Sequence, residues 1–361
     1  MPDLRIVQLT GSTAGGIGAH VRSLAAAMSA DHRVILAGPA AVLAEAEADA
    51  HTVRIEIADR PQVADARNLT RIRTLARGAD VVHAHGLRAG GLAALALSTP
   101  ALAHTALVVT LHNAPVGSGG VRSVAGGLLR AIAARANAVL GVSSDLVAWA
   151  DRHGARLTER ALIPAPETAP GTPLHGAARR ALGLTPEHQL VLTVGRLAPQ
   201  KGLGLLADAA ALLADRVPQA RWLVAGGGPL LDELADQVIG EDLPVILLGR
   251  RSDVPDLLAS ADLLVSTSAW EGQPINVQEA LAAGVPVVAT DVGGTREVTG
   301  AAARLVAYPD ADALAAQMTA VLTDPELAAD LSRAGRRRAA ELPDLADALR
   351  QTLGIYARVI A

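Results

Sequence analysis

The stretch Ile163-Pro-Ala-Pro-Glu-Thr-Ala-Pro-Gly-Thr-Pro-Leu174 divides the chain. Its prolines, at 164, 166, 170 and 173, fix φ and lack an amide proton, so the segment is neither helix nor central strand and reads as a linker. On its N-terminal side, apolar runs at 4–9, 33–37, 81–84, 106–111 and 138–142 alternate with Ala- and Leu-rich helical stretches. On its C-terminal side the runs fall at 190–194, 221–225, 245–248, 263–266 and 287–289. Runs that are apolar throughout, rather than at every second residue, belong to parallel sheets covered on both faces. Two such sets predict two doubly wound α/β domains, 1–163 and 176–343, joined by a linker at 164–175. A ligand crevice is expected where the carboxyl ends of the two sheets' strands face each other.

Composition narrows the chemistry. The 361 residues are 50% hydrophobic and 19% charged, as in a globular chain rather than a disordered one. There is no cysteine, which excludes a disulfide framework, a thiolate nucleophile and a Cys-ligated metal. A net charge of −4 gives the whole chain no nucleic-acid signature. That charge is uneven. Residues 1–165 hold 16 basic and 12 acidic residues, a net of +4, and the remainder holds 16 and 24, a net of −8, so the first half suits an anionic partner better. Of the 32 Lys and Arg residues one is a lysine, Lys201, which leaves 31 arginines. The abundance of Ala and Arg suggests a GC-rich coding bias. Against that bias, a lone lysine is either a chance survivor or kept for its compact ammonium.

The chain begins with a short strand-like segment, without the basic and long apolar regions of a signal peptide. Residues 89–121 carry no charge, but Ser98-Thr99-Pro100, His104, His112 and Asn113 interrupt them. A helix at 90–97 and a buried strand at 106–111 account for the stretch without a membrane span, and a cytoplasmic location is expected.

Three constellations carry chemistry. Gly11-Ser-Thr-Ala-Gly15-Gly16-Ile-Gly18 follows the first strand and opens a helix from about residue 19. This is either an anion-binding helix N-terminus or a tight turn. It is not G-x-G-x-x-G, and the second strand ends in Ala37-Gly38-Pro39 without an acid for a ribose, so nicotinamide binding is disfavoured. Next, Val194-Gly-Arg196-Leu-Ala-Pro-Gln-Lys201-Gly202 sets two cations at a strand end, suited to a diphosphate or else a surface charge pair. Finally, Glu271 and Glu279 straddle a loop and a helix start, where the N–H groups of Gly272, Gln273, Ile275 and Asn276 gather. Paired carboxylates accept hydrogen bonds from vicinal hydroxyls, although that spacing alone is weak.

With these residues in place the chain resembles the retaining nucleotide-sugar glycosyltransferases of family four, which have the GT-B fold. The likeness runs through Gly15-Gly16, D-V-V-H-A-H-G (80–86), V-V-T-L-H-N (108–113), V-G-R-L-A-P-Q-K-G (194–202) and V-A-G-G-G-P-L (224–230). It continues through G-R-R-S-D-V-P-D-L-L (249–258), S-A-W-E-G-Q-P-I-N-V-Q-E-A-L-A-A-G-V-P-V-V-A-T (268–290) and D-V-G-G-T-R-E (291–297). The resemblance implies two Rossmann-like domains facing across a deep cleft, the first for the acceptor and the second for the nucleotide sugar. It implies that Arg196 and Lys201 hold the diphosphate, Glu279 the ribose hydroxyls and Glu271 a sugar hydroxyl. Gly272, Gln273, Pro274, Ile275 and Asn276 would contact sugar and phosphate, and the Arg251–Val254 stretch would wall the base. Gly15 and Gly16 would approach the diphosphate, and His112 would sit at the sugar and scissile bond. A last helix at 344–361 would pack back on the first domain.

The chain departs from the family in three places. Gln273 stands where an aromatic is common, Pro164-Ala-Pro166 replaces Pro-Asn-Gly in the linker, and phenylalanine is absent. Acceptor stacking is thereby left to Trp149, Trp222, Trp270, Tyr308 or Tyr356.

The implied donor is a nucleoside-diphosphate sugar, a UDP-sugar ahead of GDP-mannose, with retention and no metal. The pair Asp310-x-Asp312 reads as a helix cap rather than a metal site. His83 and His85 share a strand face and, with His112, either line the acceptor cleft, bond to neighbours or hold a metal. Arg67, Arg71, Arg73 and Arg77, beside Leu69, Ile72 and Ala76, form either a solvated helix face or a surface for an anionic membrane. The acceptor, lipid-linked or a small metabolite, is not encoded legibly. Two other readings are a GT-B nucleotide-sugar epimerase and a non-catalytic nucleotide-sugar-binding module.

Overall fold

The computed structural model describes residues 3–11, 16–47, 50–58, 61–115, 119–165 and 171–360. The chain divides into two compact units, Met1–Pro166 with Pro343–Ala361, and Glu167–Leu342.

The first unit is built on a seven-stranded parallel sheet of order β3-β2-β1-β4-β5-β6-β7. Its strands are β1 (Arg5–Thr10), β2 (Arg33–Gly38), β3 (Thr52–Arg54), β4 (Val81–His85), β5 (Ala106–Leu111), β6 (Ala138–Gly141) and β7 (Thr158–Arg160). Every residue of β4, β5 and β6 is buried, as the unbroken apolar runs require of strands covered on both faces. The helix Leu345–Ile360 belongs to this unit, where it packs on the helix Gly16–Ser29 and on β5.

The second unit has a six-stranded parallel sheet of order β10-β9-β8-β11-β12-β13. Its strands are β8 (Gln189–Val194), β9 (Ala220–Ala225), β10 (Val245–Gly249), β11 (Leu263–Ser266), β12 (Val287–Thr290) and β13 (Arg304–Val306). Alternate side chains build a core on each face. Leu263 and Val265 join the helices Leu203–Arg216 and Ala311–Thr323 on one side, and Leu264 joins the helix Ile275–Ala283 on the other. Leu206, Ala210 and Leu213 recur at helical spacing along the buried stripe of Leu203–Arg216. A polar rung crosses three strands. The Trp222 indole donates to Thr193 Oγ1 at 2.9 Å, and Thr193 donates to the Val265 carbonyl at 2.7 Å.

In each sheet the chain starts centrally, moves out to one edge and returns to the other side of the starting strand. The order therefore reverses between β1 and β4, and between β8 and β11, and ligands of open α/β sheets gather beyond the carboxyl ends of such strands. The segments that follow β1, β4, β8 and β11 contain the motifs singled out in the sequence.

Candidate active site

In the second unit, β8 runs out at Val194 and the chain turns through Pro199–Lys201 into the helix Leu203–Arg216. Gly202 makes the turn with φ +60°, and a Cβ there would lie 2.1 Å from the Thr267 carbonyl oxygen, so only glycine fits. The stem of Lys201 lies over Gly195, whose missing Cβ makes room for it. Thr267 ties this turn to the end of β11 by donating to the Lys201 carbonyl at 2.8 Å.

Lys201 and Glu271 are brought into contact. The ammonium donates to Glu271 Oε1 at 2.5 Å, and the Ser268 hydroxyl donates to the same oxygen at 2.6 Å. With 19% and 12% of their side chains exposed, the two are a shielded ion pair rather than a surface one. The backbone of Glu271 is also held. Gly294 N–H donates to its carbonyl at 2.9 Å, and a Cβ on Gly293 would lie 1.9 Å from that oxygen. Ser268 and the Gly293-Gly294 pair were not singled out as site residues in the sequence, although G-G in D-V-G-G marks a close backbone approach.

Arg196, exposed just beyond β8, makes no ion pair among the described residues and keeps its planar donor fork for an anion. The helix Ile275–Ala283 begins after Pro274, with Gly272 and Gln273 in the loop before it. The Asn276 side chain donates to the Val194 carbonyl at 3.0 Å, binding the helix start to the end of β8 and leaving its backbone N–H in the first turn. Glu279 is partly buried and accepts no hydrogen bond among the described residues. Burial raises its carboxyl above the ordinary range, and both oxygens remain for hydroxyl donors. Arg251 is engaged within its own loop, donating to both oxygens of Asp253 at 2.8 and 2.5 Å.

In the first unit, His112 follows β5 and Gly16 opens the helix Gly16–Ser29, while Gly15 lies outside the described residues. His112 belongs to a buried chain of polar side chains. Its Nε2 is 3.1 Å from His85 Nδ1, and His85 Nε2 is 2.8 Å from Gln8 Oε1. Gln8 donates to the Tyr356 hydroxyl at 2.9 Å, and that hydroxyl is 2.8 Å from His83 Nδ1. Burial holds all four neighbouring imidazoles neutral, lowering His20 to about 4 and His83 to about 3, with His85 and His112 also well below the ordinary range. Nδ1 of His20 is buried without a hydrogen-bond partner among the described residues.

Of the readings left open for these histidines, hydrogen bonding to neighbours describes His83 and His85. Among the described residues no group of three or more His, Asp or Glu is placed to hold a metal. Asp310 is a cap, accepting from Ala313 N–H at 2.9 Å, while Asp312 accepts from Arg216 at 3.0 Å. Two aromatics expected to serve acceptor stacking cannot do so, because Trp222 and Tyr356 are buried in the cores of their units. In the arginine-rich helix Asp65–Ala76 the apolar residues Ile72 and Ala76 face the core, and Arg71 and Arg73 donate to the carbonyls of Arg54 and Ala96 at 3.1 and 3.3 Å. Its apolar stripe is thus occupied inside the unit. Among the described residues no helix is long and apolar enough to cross a membrane.

Two parallel-sheet, Rossmann-like units define the GT-B class of α/β proteins. Residues 176–338 match the family model "Glycosyl transferases group 1" and residues 15–166 match "Glycosyl transferase 4-like domain", and the chain belongs to this GT-B glycosyltransferase family. It is 37% identical over 164 residues to the lipopolysaccharide core biosynthesis mannosyltransferase LpsB of Rhizobium meliloti, covering 42% of this chain and 47% of that protein. It is 35% identical over 170 residues to the mannosylfructose-phosphate synthase of Agrobacterium fabrum, covering 43% of this chain and 37% of that one. The matches thus span less than half of these curated relatives. The crystal structure of Anabaena HepE in complex with UDP and glucose superposes with a TM-score of 0.82 at 23% identity, covering 98% of this chain and all of that one, a likeness of fold.

Proposed function

We propose that the protein is a retaining glycosyltransferase that moves a sugar from a nucleoside-diphosphate sugar, a UDP-sugar by preference, to an acceptor hydroxyl. The observation that carries this reading is the Ser268–Glu271–Lys201 cluster, at the point where the strand order of the second sheet reverses, with Arg196 in the same loop as Lys201 and in no ion pair among the described residues.

Breaking the bond between the anomeric carbon and the diphosphate oxygen leaves negative charge on the diphosphate and positive charge on the sugar. Arg196 and Lys201, with the N–H groups at the start of Ile275–Ala283, stabilise the first of these where it develops. Glu279 accepts from the ribose hydroxyls. Attack proceeds on the face the diphosphate leaves. The acceptor oxygen bonds to the anomeric carbon, and its proton passes to the departing phosphate oxygen. Glu271 is suited to a sugar hydroxyl rather than to covalent attack, because Lys201 and Ser268 occupy one of its oxygens and the ammonium offsets its charge.

No metal enters this scheme, so transfer survives EDTA. Loss of activity on chelation, restored by Mg²⁺ or Mn²⁺, would contradict it. The reading as a whole is tested with UDP- and GDP-sugars crossed with a panel of lipid-linked and soluble acceptors. Nucleoside diphosphate released in step with a glycosylated acceptor is expected. An isomeric nucleotide sugar would indicate an epimerase, and binding without turnover a non-catalytic module.

A further inference from the structure

Gln8 lies at the centre of the buried chain in the first unit, and its orientation follows from its neighbours. One end of its amide is 2.9 Å from the Tyr356 hydroxyl and 3.3 Å from Met28 Sδ. A thioether sulfur only accepts, so this end is the NH₂. The other end is then the carbonyl oxygen, which only accepts, and His85 Nε2, at 2.8 Å, carries the proton it receives.

Burial keeps His85 neutral, so its Nδ1 holds a lone pair. His112 Nε2, 3.1 Å away, must therefore be the donor. His112 is neutral too, which leaves Nδ1 as its bare, accepting nitrogen. On the other branch, the Tyr356 hydroxyl accepts from Gln8 and has one proton to place. It donates to His83 Nδ1 at 2.8 Å, since accepting there as well would leave that proton buried and unpaired. His83 Nε2–H then donates to Thr110 Oγ1 at 2.7 Å. The ring protons of His83, His85 and His112 are thus assigned, and the Gln8 amide that sets two of them is held in place by a tyrosine 348 residues away.

We propose that Gln8, held by Tyr356 of the C-terminal helix, is a positioning residue that fixes the tautomers of His85 and His112 and leaves His112 Nδ1 an obligate hydrogen-bond acceptor. Its effect on turnover rests on the proposed glycosyl transfer, while the tautomers do not. A neutral imidazole that can only accept matches a hydroxyl, which can donate. It offers nothing to a carboxylate or phosphate at the same place. The C-terminal helix thereby has a second task besides covering the sheet.

The test is long-range ¹H–¹⁵N spectroscopy of the full chain labelled at histidine nitrogens, run beside donor hydrolysis. In the wild type, His85 and His112 are expected as single neutral tautomers protonated at Nε2. Gln8→Leu, which keeps bulk but removes the amide, should give mixed tautomers at both rings. It should also lower kcat roughly 10- to 100-fold with little change in donor KM, as when a partner orienting a working histidine is removed. Tyr356→Phe keeps the buried ring and should shift both in the same direction by less. If Gln8→Leu does not fold, the wild-type spectrum and Tyr356→Phe decide. A wild-type His112 protonated at Nδ1, or wild-type tautomers persisting in the variants, would overturn the proposal. Failure to hydrolyse any nucleotide sugar, with the tautomers as expected, would count against the glycosyl-transfer reading and leave the relay standing.

Discussion

Lys201 is the residue on which the reading of the second unit turns. Its stem is seated over Gly195 and its ammonium on Glu271, so a planar guanidinium would not reproduce the geometry. Lys201→Ala should reduce turnover by a transition-state loss of about 3 kcal/mol, typical of removing one electrostatic stabiliser. Circular dichroism should remain that of the wild type, since the side chain belongs to no apolar core. Turnover equal to the wild type would remove Lys201 from the diphosphate site. The residues that sequence reading singled out, Arg196, Lys201, Glu271 and Glu279, stand in local patterns of strand, loop and helix. Ser268, Gln8 and Tyr356 were missed because their roles arise from contacts that spacing does not encode. The Ser268 hydroxyl matters only because the chain turns back within three residues, and Gln8 meets Tyr356 across nearly the whole sequence.

Legibility also differs between elements. The apolar runs at the sheet centres were readable because burial on both faces leaves little room for polar residues. The strands β3, β7 and β13 were not. Each has three residues at a sheet edge and includes polar ones such as Arg54, Glu159 and Arg304, so only the partner strand defines them. One helix start, capped by Asp310, was readable, whereas the cap at Asp324 was not singled out. Asp324 Oδ1 accepts from the N–H groups of Glu326 and Leu327 at 3.0 and 3.1 Å, with Pro325 in the first helical position of Pro325–Glu341. Asp324→Ala should destabilise the second unit by about 1 kcal/mol. The fall would be read as a lower urea midpoint with unchanged slope, and an unchanged midpoint would show the cap to be redundant.

The whole chain should respond to acid in a way set by the histidines of the first unit. His20, His83, His85 and His112 have folded values below the ordinary imidazole value near 6.5. Below pH 6.5 the unfolded chain therefore takes up protons that the folded chain refuses. Stability present above that pH is lost as the pH falls, by up to about 1.4 kcal/mol per unit for each group. The loss stops near pH 4 for His20 and near pH 3 for His83. Glu279, raised by burial, works in the opposite direction, one group against four. Between pH 7.5 and 5 carboxylates of ordinary or lowered pKa stay ionised, so the urea midpoint should fall across this window, and a midpoint that holds or rises would contradict the burial of neutral imidazoles. Whether this GT-B chain cleaves a nucleoside-diphosphate sugar and passes the sugar on, as proposed, is decided by ³¹P spectroscopy of a UDP-sugar incubated with the protein and a competent acceptor. The paired resonances of the sugar diphosphate should give way to those of free UDP. A new pair belonging to an isomeric sugar diphosphate, or an unchanged spectrum with every donor and acceptor supplied, would contradict it.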